Sequence, residues 1–319
     1  MTLITGAAGF AGSHLIDLLV REQVEEPVEI VAWRRPRLEK RPAQLFSTPA
    51  TWKRVTWEEV DVLDRAAVGA AIARIRPAKV YHCAGAAHVG RAWDRIESTF
   101  AINVRGTHHL LDALAKASVE ARVLIPSSAL VYTPADRPLT EDDPIAPSSP
   151  YGLSKLAQEM LARHADRGLT VTVARAFNHV GPRQDPWFAA SGFARRIADI
   201  EKGLWAPEIS VGNLEARRDL TDVRDTVRAY RLILEHAGPA EAFNVCSGCA
   251  IPIRKVLEML IARAHVPVRT RIEPARYRPN DAPLLLGDPR RIRERFGWSP
   301  EIPLDRTLDD LLEFWRNTI

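Results

Sequence analysis

Thr2-Leu3-Ile4-Thr5-Gly6-Ala7-Ala8-Gly9-Phe10-Ala11-Gly12-Ser13-His14-Leu15-Ile16 opens the chain, and its reading decides the fold. A short apolar strand runs into three glycines and then into an apolar repeat of helical period at Leu15, Leu18 and Leu19. Glycine makes the tight turn, lets backbone approach a pyrophosphate and leaves room for the helix to pack on the strand, while the helix N-terminus faces the anion. The stretch therefore predicts a strand, a loop and a helix built for a dinucleotide, with Gly6, Gly9, Phe10, Ala11 and Gly12 against the cofactor. The spacing is G-x-x-G-x-x-G and not the commoner G-x-G-x-x-G.

Outward from this unit the alternation continues. Apolar periodicity predicts strands near 2–5, 28–33, 54–61, 79–83, 121–127 and 170–176, with helices near 12–22, 64–76, 92–117 and 151–166 between them. Such a sequence of elements predicts an α/β fold, a Rossmann-type doubly wound parallel sheet. Beyond residue 177 the pattern changes: helices near 188–203, 222–236, 253–265 and 305–317 mix with short extended pieces near 208–211, 242–246 and 268–273. We read residues 1–177, with about 222–248 returning to them, as the dinucleotide-binding domain, and 178–221 with 249–319 as a smaller mixed α/β lobe that walls a cleft.

A chain of 319 residues that is 46% hydrophobic can bury a large core, which excludes a disordered class. It contains no apolar run of about 18 residues for a membrane span and no secretory leader pattern, so a cytoplasmic protein without a membrane partner is expected. Net charge is +4, and the arginine clusters Arg34-Arg35 to Arg41, Arg217-Arg218 and Arg290-Arg291 are scattered and not interleaved with aromatics. That distribution favours small phosphate-bearing ligands over nucleic acid. Cys246-Ser247-Gly248-Cys249 has no second Cys/His pair at metal spacing, so it is read as a structural turn, and no metal is expected.

The chemistry concentrates in Tyr151-Gly152-Leu153-Ser154-Lys155, just after Pro150, where a helix is expected to begin. Positions i and i+4 share a helix face, so the phenol and the ammonium can act on one bound molecule. A tyrosine ordinarily loses its proton near ~10, and the expectation is that the fixed positive charge lowers that value.

Together, the glycine spacing and the Tyr/Lys pair resemble the extended, nucleotide-sugar-modifying branch of the short-chain dehydrogenase/reductase superfamily. The resemblance covers nearly the whole chain. After the second strand, Trp33-Arg34-Arg35 stands where an acid would bind the adenosine ribose of NAD; Arg34 and Arg35 suit a 2′-phosphate, so NADPH is the expected cofactor, with NADH second. Asp61 and Val62 match the family's adenine position, although Asp61 has a helix cap as its plain alternative, a role Asp64 fills better. Ala84, Gly85 and Ala86 end the fourth strand with small residues beside the nicotinamide ribose, and Asn103 matches the buried asparagine that braces that strand.

The resemblance further implies that Ser128, counted back from Tyr132, hydrogen-bonds the substrate oxygen, with neighbouring Ser127 as the alternative and a substrate contact. Ser128, Tyr151 and Lys155 are thus the expected catalytic residues, the last two also touching the cofactor. Two positions after Ser128, where dehydratases of the branch carry a glutamate base, this chain has Leu130, which cannot take a proton. Asn178, Arg218 and Arg278 match positions that hold the nucleotide-sugar, and guanidinium forks suit a diphosphate. The stretch 211–225 and Asn244 to Gly248 look most like the GDP-4-keto-6-deoxy-D-mannose reductases. The implied reaction is reduction of the C4 ketone of a GDP-linked 4-keto-6-deoxy sugar, giving GDP-rhamnose or its C4 epimer, in a homodimer. A nucleotide-sugar 4-epimerase or GDP-mannose 4,6-dehydratase-like enzyme is the alternative, and a non-catalytic dinucleotide sensor the remote one.

Overall fold

The computed structural model describes residues 1–22, 29–36, 51, 53–165, 168–274 and 282–319. Arg41 and Arg278 lie outside the described residues. At the centre, β1 (Thr2–Thr5) is buried along its whole length, as a parallel strand covered on both faces must be. Its neighbours are β2 (Ile30–Arg34), β3 (Thr56–Glu59), β4 (Lys79–His82), β5 (Ala121–Ser128), β6 (Leu169–Ala176) and β10 (Ala242–Val245), in the order β10-β6-β5-β4-β1-β2-β3. Every adjacent pair in this sheet is parallel.

Helices α1 (Phe10–Glu22), α2 (Arg65–Ile75), α4 (Gly106–Lys116) and α5 (Pro150–Arg163) return the chain between strands. Their ends follow the local chemistry. Asp64 caps α2 by accepting from the Ala67 amide at 3.0 Å, the role foreseen for it, and Ser149 caps α5 with Pro150 in its first turn. The helix expected over 92–117 instead begins as α3 (Ile96–Phe100), widens through a π turn at Ala101–Arg105 and resumes as α4. That turn carries Asn103, whose side chain is fully buried.

Beyond β6, α7 (Val223–His236) comes back against α1, where Val223, Val227, Tyr230 and Ile233 share a core with Leu15, Ile16 and Leu18. Around β9 (Arg217–Asp222) gather β7 (Asn178–Val180), β11 (Ala250–Pro252) and β13 (Leu284–Leu285), while β8 (Glu208–Val211) pairs with β12 (Arg269–Ile272). Another core joins α6 (Ala189–Glu201), α8 (Ile253–Ile261) and α9 (Leu304–Thr318) through residues such as Ile197, Leu257 and Leu311. The periodicity gave no sign of β9, because Asp219 reads as a surface residue. In the fold it is fully buried and accepts from the amides of Ser247, Gly248 and Gly287. The same bonds account for the turn in Cys246-Ser247-Gly248-Cys249, where Gly248 adopts φ +80.

Candidate active site

Strand order reverses between β1 and β4, and the loops leaving their C-terminal ends form the crevice in which such sheets bind ligands. The glycine loop lies there. A Cβ on Gly6 would stand 2.5 Å from the Ala84 amide nitrogen, so the β1 and β4 loops touch backbone to backbone, and Gly6 also needs φ +62. No acidic side chain occupies the first turn of α1, which leaves its amide end positive and suited to a pyrophosphate. Gly9, Phe10, Ala11 and Gly12 form that end. At the tip of β2, Arg34 pairs with Glu59 at 2.8 Å, and Arg35, the next residue, is exposed. Asp61 accepts from the Leu63 amide at 2.9 Å and Val62 is buried against Gly106.

Asn103 holds the β4 loop in place. It accepts from the Ala86 amide at 2.7 Å and donates to the Ala86 carbonyl at 3.3 Å and to Ser154 Oγ at 2.9 Å. Ala84, Gly85 and Ala86 are thereby fixed opposite the Tyr151 helix. A Cβ on Gly85 would come 3.7 Å from Lys155 Nζ, so a bare backbone faces the ammonium.

Ser128, Tyr151 and Lys155 converge on the crevice from β5 and α5. Gly152 allows this approach: a side chain there would overlap the Leu130 carbonyl oxygen and meet Pro147 Cβ at 3.0 Å. Ser128 Oγ accepts from the Leu130 amide at 3.2 Å and hydrogen-bonds with Tyr151. Lys155 Nζ donates to the Pro126 carbonyl at 2.9 Å and to Gln158 Oε1 at 2.8 Å, which leaves one of its three N–H bonds for a ligand. Proline suits position 126, since β4 pairs with β5 only as far as Leu124.

The electrostatics differ from the sequence expectation. Burial pushes Tyr151 up to about 12, opposed by the Ser128 hydrogen bond, and the Lys155 ammonium, 5.9 Å from the ring centre, does not bring it down. Burial also pushes Lys155 down to about 8, opposed by Cys83 and Glu159. Desolvation of both groups outweighs their attraction at that separation. A tyrosine kept protonated is fit to give a proton to an oxygen that gains electrons.

Ser127 corrects a second expectation. Adjacent residues of a strand face opposite ways, and the Ser127 hydroxyl donates to Glu159 at 2.6 Å in the interior. Glu159 also receives Arg175, with Nη2 to Oε2 at 2.8 Å, and both side chains are 1% exposed. Ser127 therefore belongs to a buried ion-pair cluster under α5, and its expected substrate contact gives way to that role. Asn178 is exposed at the start of β7, and Arg218 is half-buried on β9, donating to the Ala282 and Arg217 carbonyls at 2.8 Å each. Arg278 lies outside the described residues.

Sequence reasoning passed over the polar chain behind Lys155: Gln158, Thr107, His82 and Thr5. The one available signal is on α5 itself, where Gln158 extends the inward stripe of Tyr151, Ser154 and Lys155 at a position that should be apolar. Across the crevice mouth, Arg91 stacks on Trp187 at 3.9 Å and His88 on Phe188 at 5.0 Å, joining the β4 loop to the segment after β7.

The glycine loop at the switch point and the Ser128, Tyr151, Lys155 cluster define an NAD(P)-dependent oxidoreductase of the short-chain dehydrogenase/reductase type. Comparison with known proteins narrows the class. A family model described as GDP-mannose 4,6 dehydratase matches residues 3–311. GDP-6-deoxy-D-mannose reductase of Pseudomonas aeruginosa is 32% identical over 99% of this chain and 97% of its own. The structure of RMD from Pseudomonas aeruginosa complexed with NADPH superposes with a TM-score of 0.83 at 29% identity, covering 100% of this chain and 99% of that one. UDP-glucose 4-epimerase of Thermus thermophilus in complex with NAD gives 0.85 at 27% identity, covering 100% and 99%. The chain belongs to the GDP-mannose 4,6-dehydratase family of extended short-chain dehydrogenases/reductases.

Proposed function

We propose that the protein reduces the C4 ketone of a GDP-linked 4-keto-6-deoxyhexose. The observation that carries this reading is Leu130 on the turn after Ser128: the buried proton donor Tyr151 is present, and the side chain two residues beyond Ser128 has no base for dehydration. Full-length similarity to a GDP-6-deoxy-D-mannose reductase supports it.

The bound nicotinamide cofactor supplies hydride. Gly6, Gly9, Phe10, Ala11 and Gly12 would hold its pyrophosphate, Arg34 and Arg35 a 2′-phosphate, Asp61 and Val62 its adenine, and Ala84, Gly85 and Ala86 the nicotinamide ribose. That assignment makes NADPH the preferred reductant, with NADH second. Lys155 would offer its remaining N–H to the ribose hydroxyls. Tyr151 donates its proton to the sugar O4 as charge develops there, and Ser128 holds the same oxygen. Asn178, Arg218 and Arg278 secure the nucleotide end, whose binding energy orients the distant ketone. On this reading residues 1–177 with about 222–248 carry the cofactor, and 178–221 with 249–319 carry the sugar nucleotide. Ile96, Leu153 and Met160 are exposed on the packed helices α3 and α5, and we assign the pairing face of a homodimer to them.

Incubation with GDP-mannose, a separate dehydratase and either NADPH or NADH, followed by NMR of the deoxysugar, tests the reading. A reduced 6-deoxyhexose formed with NADPH consumption is the expected result. Conversion of GDP-mannose in a parallel tube without the dehydratase would assign dehydration to this chain in place of reduction.

A further inference from the structure

Behind Lys155 runs a buried chain of hydrogen bonds that leads back to the loop after β4. Gln158 Nε2 lies 2.6 Å from Thr107 Oγ1, His82 Nε2 2.9 Å from the same oxygen, and His82 Nδ1 2.8 Å from Thr5 Oγ1. Thr5, Thr107 and Gln158 are completely buried and His82 nearly so.

The proton count along this chain has one solution. Thr107 has a single hydroxyl hydrogen, and its 2.6 Å bond to the Asn103 carbonyl uses it, because a carbonyl only accepts. Thr107 must then accept from both other neighbours. His82 consequently carries its hydrogen on Nε2, and its bare Nδ1 accepts from the Thr5 hydroxyl. Burial keeps the ring neutral, pushing His82 down to about 3. Thr5 in turn accepts from the Ala84 amide at 3.2 Å, the backbone against which Gly6 packs. Gln158 is left with one orientation: its NH2 faces Thr107 and its oxygen faces Lys155.

We propose that Gln158 is a positioning residue for Lys155, an acceptor locked by Thr107, His82 and Thr5 so that the ammonium is held between Gln158 and Pro126 and presents one N–H to the crevice. This deepens the proposed function, since it rests on Lys155 meeting the cofactor ribose. A side chain of four methylenes would otherwise sample many rotamers. The amide oxygen also favours the charged form of the lysine. Other titratable groups facing Lys155 are His82 at the end of β4, Cys83 just after it, and Tyr151 and Glu159 from α5.

The test reads the lysine directly, with neither substrate nor cofactor. In protein labelled with 13C at lysine Cε, Lys155 titrates near 8, apart from surface lysines near ~10.4, and Lys155→Arg assigns its signal. Gln158→Met, close in size, should lower that midpoint by about one unit, and Gln158→Glu, close in shape, should raise it. The alkaline limb of kcat/KM for NADPH, which reports the free enzyme, should move in the same directions. A role in packing alone would lower activity in both variants and leave the midpoint where it is. An unmoved Lys155 midpoint in folded Gln158→Met overturns the proposal, and so does an unmoved midpoint in Gln158→Glu should the methionine variant fail to fold. Midpoint shifts in the variants, together with a wild-type protein that reduces no keto sugar, would refute the functional reading and keep the tether.

Discussion

Replacing Gly152 by alanine places one methyl group at the tightest joint of the site. The new Cβ would overlap the Leu130 carbonyl oxygen and lie 3.0 Å from Pro147 Cβ. The carbonyl cannot yield easily, because its turn is tied by the Leu130 amide to Ser128 Oγ at 3.2 Å and by the Tyr132 amide to the Ala129 carbonyl at 3.2 Å. The start of α5 must therefore retreat by about 1 Å, and Tyr151, the preceding residue, moves with it while Ser128 stays. A displacement of that size near the reacting atoms costs on the order of 100-fold in kcat. Stability should change less, because overpacking costs about 1–3 kcal/mol while alanine in place of glycine in a helix returns about 1 kcal/mol. The assay is steady-state oxidation of NADPH with the 4-keto-6-deoxy sugar nucleotide at saturation, beside a thermal melt. A folded variant with kcat within a factor of about three of wild type would refute the claim that this close approach sets the Ser128 and Tyr151 geometry.

Arg175→Met should destabilise the fold by about 3–5 kcal/mol in urea unfolding, because Glu159 is left buried without its cation; adding Glu159→Met should recover much of that loss, and a single-variant loss below about 1 kcal/mol would contradict the cluster's role. Arg34→Ala with Arg35→Ala should raise KM for NADPH at least about tenfold and leave KM for NADH nearly unchanged, which steady-state kinetics with the two cofactors checks. Lys155 binds fewer protons folded than unfolded between about 8 and 10.5, so its contribution to stability rises with pH across that window and is least favourable below it. kcat/KM for NADPH should fall above about pH 8 as Lys155 of the free enzyme loses the charge that holds the ribose, and a profile flat to about pH 9.5 would contradict that assignment.

What the sequence disclosed is local. The glycine loop announces itself because strand, turn and helix start are contiguous, and Tyr151 and Lys155 because four residues bring them to one face and Pro150 marks the helix start. Leu130 could be weighed because it sits two positions from Ser128. What stayed hidden depends on partners far along the chain. Ser127 and Ser128 cannot be told apart in a strand buried on both faces, and only Glu159, 32 residues away, decides which one points inward. Gln158 looks like an ordinary helix residue until Thr107, 51 residues away, fixes its amide. The shift of Tyr151 had the wrong sign in the sequence reading because burial is a tertiary property, and at 5.9 Å it outweighs the lysine.

The central claim is that Tyr151 delivers the proton to a sugar ketone. Tyr151→Phe removes one oxygen from a buried ring and keeps its shape. Turnover of the 4-keto-6-deoxy sugar nucleotide should fall by about 100-fold or more, the contribution of a positioned acid, while NADPH and GDP bind as in wild type by calorimetry. Retention of more than about a tenth of wild-type turnover in the folded variant would contradict the account.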